Sequence, residues 1–254
     1  MGGGPHIVVL MADDLGLADV GFALPHPSRH AVTPTLDELA RSSVHLTALR
    51  TPVWCAPARA SFLTGRHGWQ LGIWASHGWT VLPRRIKLLP ELLRDLGYHT
   101  ALVGKFGINA ASCHGNQGFG CGFDEQYGFV GGMSDYYRHH GSWNRNGRKL
   151  DERGQYMTDL LGAEARRIVL THGQRRSNQS LFLWFAPNAP HTPLQAVRAA
   201  RIASPPPLRW TPAHFASRFT HERASPTHAA IASHCHMPLL LLLPGGYLDY
   251  YKVD

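Results

Sequence analysis

Two almost wholly apolar runs constrain the fold most: "HIVVLM", His6 to Met11, and "LFLWFA", Leu181 to Ala186. Runs of this length and composition read as strands buried on both faces, and such strands belong to a parallel sheet packed between helices. The segments between them agree. "TPTLDELARSS" offers Thr33 as a cap, Pro34 at the first helical position, and Leu36, Leu39 and Ala40 on one face. "LLPELLRDLG" predicts a helix ended by Gly97, "YHTALVGK" a strand, and "MTDLLGAEARRIVL" an amphipathic helix. "VHLTAL" alternates as a strand does. Strands alternating with helices set the expected fold class: α/β, with a mostly parallel sheet sandwiched by helices.

With 254 residues, 44% of them hydrophobic, the chain has enough apolar material for a sizeable core. Its formal charge of +8 is spread along the chain and makes no basic run interleaved with aromatics, which argues against a nucleic-acid partner. A basic surface instead favours an anionic small molecule or a sulfated or phosphorylated polymer. Cys55, Cys113, Cys121 and Cys235 are too few and too irregular for a disulfide framework, and no CxxC pair suggests zinc. Cys113 and Cys121 have the option of pairing in an oxidising compartment.

The opening "MGGGPHIVVLMADDLG" lacks the features of a secretory signal, and "PLLLLLP" is too short to span a bilayer. A soluble chain with no membrane span and no address is therefore expected, and its localisation is left open. From about Val197 onward the composition turns to scattered Pro, Ser and His without helical or strand periodicity. The expected organisation is one domain over residues 1–197 and an aberrant or poorly ordered tail over 198–254.

In open α/β sheets the reactive groups gather at the carboxyl ends of strands, where loops face a common crevice and helix amino termini present N–H groups to anions. By that rule Asp13 and Asp14 follow the first strand, Cys55 follows "VHLTAL", Lys105 follows "YHTALVG", and His191 follows "LFLWFA". Adjacent aspartates suit a hard cation such as Ca²⁺ or Mg²⁺. Taken alone, the pair reads equally as a solvated turn or a helix cap. Cysteine is often a small buried hydrophobe. Cys55, however, opens the helix-like "PARASFLTG" with Arg59 one turn later, and both features favour an anion there.

"CAPARASFLTGR" resembles the sulfatase signature, whose core is Cys-x-Pro-x-Arg followed by Leu-Thr-Gly-Arg. The surroundings resemble that family in order: "HIVVLMADDLGLADVG", "TPTLDELARSSVHLTAL", "YHTALVGK", "GFGCGFDEQYGFVGGMSDYY" and "FLWFAPNAPHTPLQA". The likeness covers about residues 5 to 197, and "HTPLQ" with "GFDEQYGF" is similar to the arylsulfatase B-like branch, which acts on sulfated N-acetylgalactosamine. It implies an alkaline-phosphatase-like fold whose C-terminal part is missing, so that residues 1–197 form the N-terminal part of a sulfatase catalytic domain.

It also implies chemistry. Cys55 would be oxidised by a formylglycine-generating enzyme to formylglycine, whose hydrate attacks sulfur and later expels sulfate. Arg59 would hold the hydrate, Lys105 a sulfate oxygen, and His191 the sulfate or bridging oxygen. Asp13 and Asp14, with the modified Cys55, would bind Ca²⁺ or Mg²⁺. The expected function is sulfuric ester hydrolysis on a sulfate ester, with sulfated N-acetylgalactosamine glycans as the substrate of that branch. The other readings are phosphoester or phosphonate hydrolysis on the same fold, and an inactive sulfatase remnant or sulfated-glycan binder. The family is lysosomal, secreted or periplasmic.

The pattern departs in two places. Where the family has Gly-Lys-Trp-His-Leu-Gly this chain has "GKFGIN", so Gly107 stands at the expected histidine. Losing a general acid or base costs about a hundred- to ten-thousandfold in rate. After Ala196 nothing resembles the family's metal-binding Asp-Asn pair, and Asp249 and Asp254 are the remaining aspartates. Two carboxylates fall short of the usual shell of about six or more oxygens, so weak metal affinity is expected.

Overall fold

The structure is a computed structural model describing residues 4–22, 32–46, 48–76, 81–83, 86–109, 120–175 and 178–197. The expected tail from 198, together with Cys113 and Cys235, lies outside the described residues. The described chain divides into two compact units: one takes the residues up to Leu15 and those from 48 to Pro193, the other takes Gly16–Leu46 and the residues from Leu194.

The larger unit is built on one sheet. Its strands are β1 (Ile7–Leu10), β2 (His99–Lys105), β3 (Glu125–Phe129), β4 (Asn144–Arg145), β5 (Arg148–Lys149) and β6 (Leu181–Ala186), in the spatial order β1-β6-β2-β3-β4-β5. β1, β6, β2 and β3 run parallel, while β3, β4 and β5 pair antiparallel. β2 is buried throughout, as a central strand must be. β1 is not: of its four residues only Val9 is buried, because it pairs with β6 alone among the described strands. The expectation of full burial for "HIVVLM" is corrected by that edge position.

The helices of this unit are α2 (Cys55–Thr64), α3 (Leu89–Asp95) and α4 (Met157–Arg175). Period-two alternation sends successive strand residues to opposite faces. Val9, Leu102, Phe182 and Trp184 pack with Ala60 and Leu63 of α2 and Leu93 of α3. Ala101, Val103, Leu181 and Leu183 pack with Met157, Leu161 and Ile168 of α4. The expected sandwich is therefore present. Gly104 lets the sheet close just before Lys105: at φ +116°, a Cβ there would lie 2.0 Å from the Ala186 carbonyl oxygen of the neighbouring strand.

"VHLTAL" is a correction. Among its described residues no strand forms, and Val44 and Leu46 are 88% and 59% exposed. Alternation stabilises a strand only where one face finds a core. Cys55 therefore follows no described strand. In the smaller unit, α1 (Pro34–Arg41) begins after Thr33 as expected, with Ala40 buried. Thr33 does not cap with a backbone bond: its Oγ1 donates to Asp37 Oδ1 at 2.7 Å and accepts from Gly21 N at 2.8 Å.

Candidate active site

All six expected site residues lie in the larger unit. Three strand ends supply four of them. β1 runs out at Leu10, and the chain stays beside the end of β6 because Asp13 N donates to Ala189 O at 3.2 Å and bridges to Pro190. Asp14 then turns in the left-handed region at φ +61°, which Asp tolerates better than most residues. β2 ends on Lys105, and His191 sits in the turn after β6, its N–H donating to Asn188 O at 2.9 Å.

Asp13 is the electrostatic centre. It is 3% exposed, and its two oxygens face different cations: Lys105 Nζ donates to Oδ2 at 2.6 Å, and Arg59 Nη2 to Oδ1 at 3.2 Å. Arg59 and Lys105 are themselves buried. Arg59 Nη1 also donates to Lys105 O at 2.5 Å, and its guanidinium lies over Trp184, 5.8 Å from the ring centroid. Burial pushes the Asp13 carboxyl up. The charges of Arg59 and Lys105, the hydrogen bond from Lys105 and the charge of His191 outweigh that, and hold it below the ordinary carboxylate value.

Cys55 is the first residue of α2, a free thiol at intermediate exposure. Its Sγ is 3.0 Å from Ser76 Oγ, which also accepts from Ala56 N at 3.3 Å. Sequence reasoning missed Ser76, which no motif joins to Cys55. Cys55 shares the lining of a small pocket with Asp13, Asp14, Arg59 and Trp54. The thiol is thus neither sealed in apolar packing nor remote from the aspartates.

His191 Nδ1 donates to Thr192 O at 2.6 Å, leaving Nε2 toward Asp14, 3.4 Å from Oδ2. The loop after β3 holds this turn from behind. Tyr136 OH donates to His191 O at 2.9 Å, and Asn188 Nδ2 donates to Ser134 O at 3.3 Å. Burial drives the Tyr136 phenol well above its ordinary value, so it remains a neutral donor. Cys121, downstream of β2, is disulfide-bonded, and Cys113, with which it has the option of pairing, is not among the described residues.

Gly107 has φ +71°, and a Cβ there would come within 2.6 Å of Arg59 Cδ, 2.9 Å of Arg59 Nε and 3.1 Å of Lys105 Cε. The position that carries a histidine in the sulfatase pattern is here filled by the neighbouring cations.

Asp13 and Asp14 fit a hard cation in kind, being carboxylates on the wall of the Cys55 pocket. No group of three or more His, Cys, Asp or Glu poised for a metal occurs among the described residues. No described helix is long and apolar enough to cross a membrane.

A mixed, largely parallel sheet between helices, with its charged groups at the carboxyl ends of β1, β2 and β6, is the alkaline-phosphatase-like α/β class. A sequence model of the sulfatase family matches residues 5–206, and the chain belongs to that family. It is 32% identical over 209 residues to arylsulfatase J of Mus musculus, covering 76% of this chain and 33% of that protein. It is 39% identical over 140 residues to arylsulfatase D of Homo sapiens, covering 49% of this chain and 23% of that protein. Among solved structures, Ps i-CgsB superposes with a TM-score of 0.67 at 31% identity, over 80% of this chain and 49% of the other. The chain thus spans about a third or less of these two curated relatives and about half of that structure.

Proposed function

We propose that the chain is a sulfuric ester hydrolase whose nucleophile is formylglycine made from Cys55, with Asp13 and Asp14 binding a divalent cation, Ca²⁺ or Mg²⁺. The observation that carries this reading is that Cys55, Asp13, Asp14 and Arg59 line one pocket, with Lys105 bonded to Asp13 behind it. Membership of the sulfatase family and similarity to arylsulfatases support a sulfate ester as substrate. When present, the hydrated aldehyde supplies an oxygen nucleophile and the cation makes that oxygen more acidic.

The chain's own residues do the rest. Arg59 and Lys105 are buried and bonded to Asp13, so their positive groups would oppose charge growing on sulfate oxygens with little screening by water. Their two charges equal those of Asp13 and Asp14, which leaves the four side chains formally neutral. Asp13 and Asp14 would hold a divalent cation, whose charge would add to those of Arg59 and Lys105 in attracting an anionic ester. His191, oriented by its Nδ1 bond to Thr192, offers Nε2 to carry a proton to the alcohol oxygen as the S–O bond breaks.

The proposal extends to sulfated glycans, including the sulfated N-acetylgalactosamine of the arylsulfatase B-like branch. Ps i-CgsB, 30% identical, was solved in complex with k-i-k-neocarrahexaose, which supports a saccharide ester. Mass spectrometry of the peptide carrying residue 55 tests the modification, using chain co-produced with a formylglycine-generating enzyme. An aldehyde is expected, and a thiol in every molecule contradicts it. Matched aryl sulfate and aryl phosphate test the reaction class: faster phosphate turnover sinks the sulfatase reading in favour of phosphoester hydrolysis.

A further inference from the structure

The helix that opens on Cys55 begins without a cap from its own sequence. The first N–H groups of α2 have no carbonyl one turn back to bond, and Trp54, at the capping position, makes no side-chain capping bond to them. Ser76 supplies one from 20 residues away: Ala56 N donates to Ser76 Oγ at 3.3 Å. A single 3₁₀ turn, Gly68–Leu71, brings the chain back to that end of the helix. Gly68 lies against the first turn of α2, where a Cβ would come within 2.9 Å of Pro57 Cβ and 2.5 Å of Ile73 O. Ile73 N donates to Gly68 O at 2.8 Å and its side chain is buried, so Ser76 follows closely on a fixed point.

The same hydroxyl meets the side chain of residue 55, with Ser76 Oγ 3.0 Å from Cys55 Sγ. An oxygen that accepts from the Ala56 N–H keeps its own proton and a further lone pair for that neighbour. Ser76 does not line the pocket that Cys55 shares with Asp13, Asp14 and Arg59, so it touches residue 55 without occupying the space a substrate would enter. We infer that Ser76 is a positioning residue: its hydroxyl ties the start of α2 to the γ atom of residue 55 and fixes the side chain that would act as nucleophile. The inference rests on the hydrolase proposal for its consequence in turnover, and on the observed contact for the rest. In the thiol the γ atom is sulfur, a weak donor and a weak acceptor; in formylglycine an oxygen would stand in its place and pair more strongly with a hydroxyl. Misplacing a reacting atom by about 1 Å can cost on the order of a hundredfold in rate, so a hydroxyl that holds this atom matters beyond its part in the helix.

Two readouts on the full chain separate positioning from capping. On unmodified chain, the S–H stretching band of Cys55, isolated by difference from Cys55→Ala, should shift in Ser76→Ala and stay in place in Ser76→Thr. On chain co-produced with a formylglycine-generating enzyme, and shown by mass spectrometry to carry equal aldehyde, Ser76→Ala should lower kcat for 4-nitrophenyl sulfate about tenfold or more with KM unchanged. Ser76→Thr, which keeps the hydroxyl, should restore most of that loss. The alanine variant should also melt about 2–4 °C lower, a change that loss of a helix cap alone explains. An unshifted band overturns the inference, as does a kcat equal to that of wild type, a loss confined to KM, or a threonine variant no better than alanine. A shifted band in a chain that carries the aldehyde yet hydrolyses nothing removes the hydrolase proposal and leaves Ser76 holding residue 55; hydrolysis with an unshifted band does the reverse.

Discussion

Gly107 shows how one position fixes what its neighbours do. A side chain there would meet Arg59 at 2.6 Å and adopt a left-handed φ of +71°, so restoring the histidine of the sulfatase pattern means displacing a buried guanidinium. Gly107→His is expected to lower the melting temperature and not to raise sulfate ester turnover; a thermal melt and a release assay check both, and a large gain in turnover contradicts the account. Asp13→Ala has a different cause. It leaves Arg59 and Lys105 buried without their shared carboxylate, a change that costs about 3–5 kcal/mol. For a chain of this size that is a drop in melting temperature on the order of 10 °C, measurable by calorimetry. Asp13, Asp14, Cys55, Arg59, Lys105 and His191 were singled out in the sequence because each belongs to a local motif. Ser76 and Tyr136 were not, since Ser76 meets Cys55 across 21 residues and Tyr136 meets His191 across 55. Distance along the chain hides such pairs from any local pattern.

At the scale of elements, β2, β3 and α4 are tied by an ionic chain. His99 Nε2 lies 2.8 Å from Glu125 Oε1, and Arg167 Nη2 donates to Glu125 Oε2 at 2.7 Å and to Glu164 Oε1 at 2.7 Å. The hydrogen bond with His99 lowers the Glu125 carboxyl most. Burial opposes it, the bond and charge of Arg167 add to it, and the result is a value of about 2 instead of 4.5. A depressed carboxylate contributes stability that is fully present above its unfolded value and is lost as pH falls through its folded value. Stability should therefore fall as the pH drops from about 4.5 toward 2. Glu125→Gln should flatten that acid limb in denaturant titrations; an unchanged limb contradicts the assignment. β2 and β6 were readable as short apolar runs of seven and six residues, and α3 and α4 from apolar residues at helical spacing. β4 and β5 were not, being two residues each and too short for a period to show. "VHLTAL" had the period without a core to bury it.

At the scale of the molecule, the two-sided core of the larger unit makes the carboxyl edge of its sheet a rigid mount, and the chemistry rests on what that edge gathers. It gathers two carboxylates, Asp13 and Asp14, on one pocket wall, where we propose that they hold a cation. An ion held by so few protein oxygens should bind weakly, with a dissociation constant for Ca²⁺ on the order of 10⁻⁴–10⁻³ M by calorimetry, and chelator should remove turnover reversibly. Nanomolar affinity would mean a ligand shell completed by other protein groups. The account's central claim is that residue 55, set among Asp13, Asp14, Arg59 and Lys105, is where a sulfate ester is broken. Its most direct test is release of 4-nitrophenol from 4-nitrophenyl sulfate by the full chain, co-produced with a formylglycine-generating enzyme and supplied with Ca²⁺, beside the Cys55→Ala variant. The account predicts release by the wild-type chain and none above background by the variant; equal release by both, or none by a chain shown to carry the aldehyde, would contradict it.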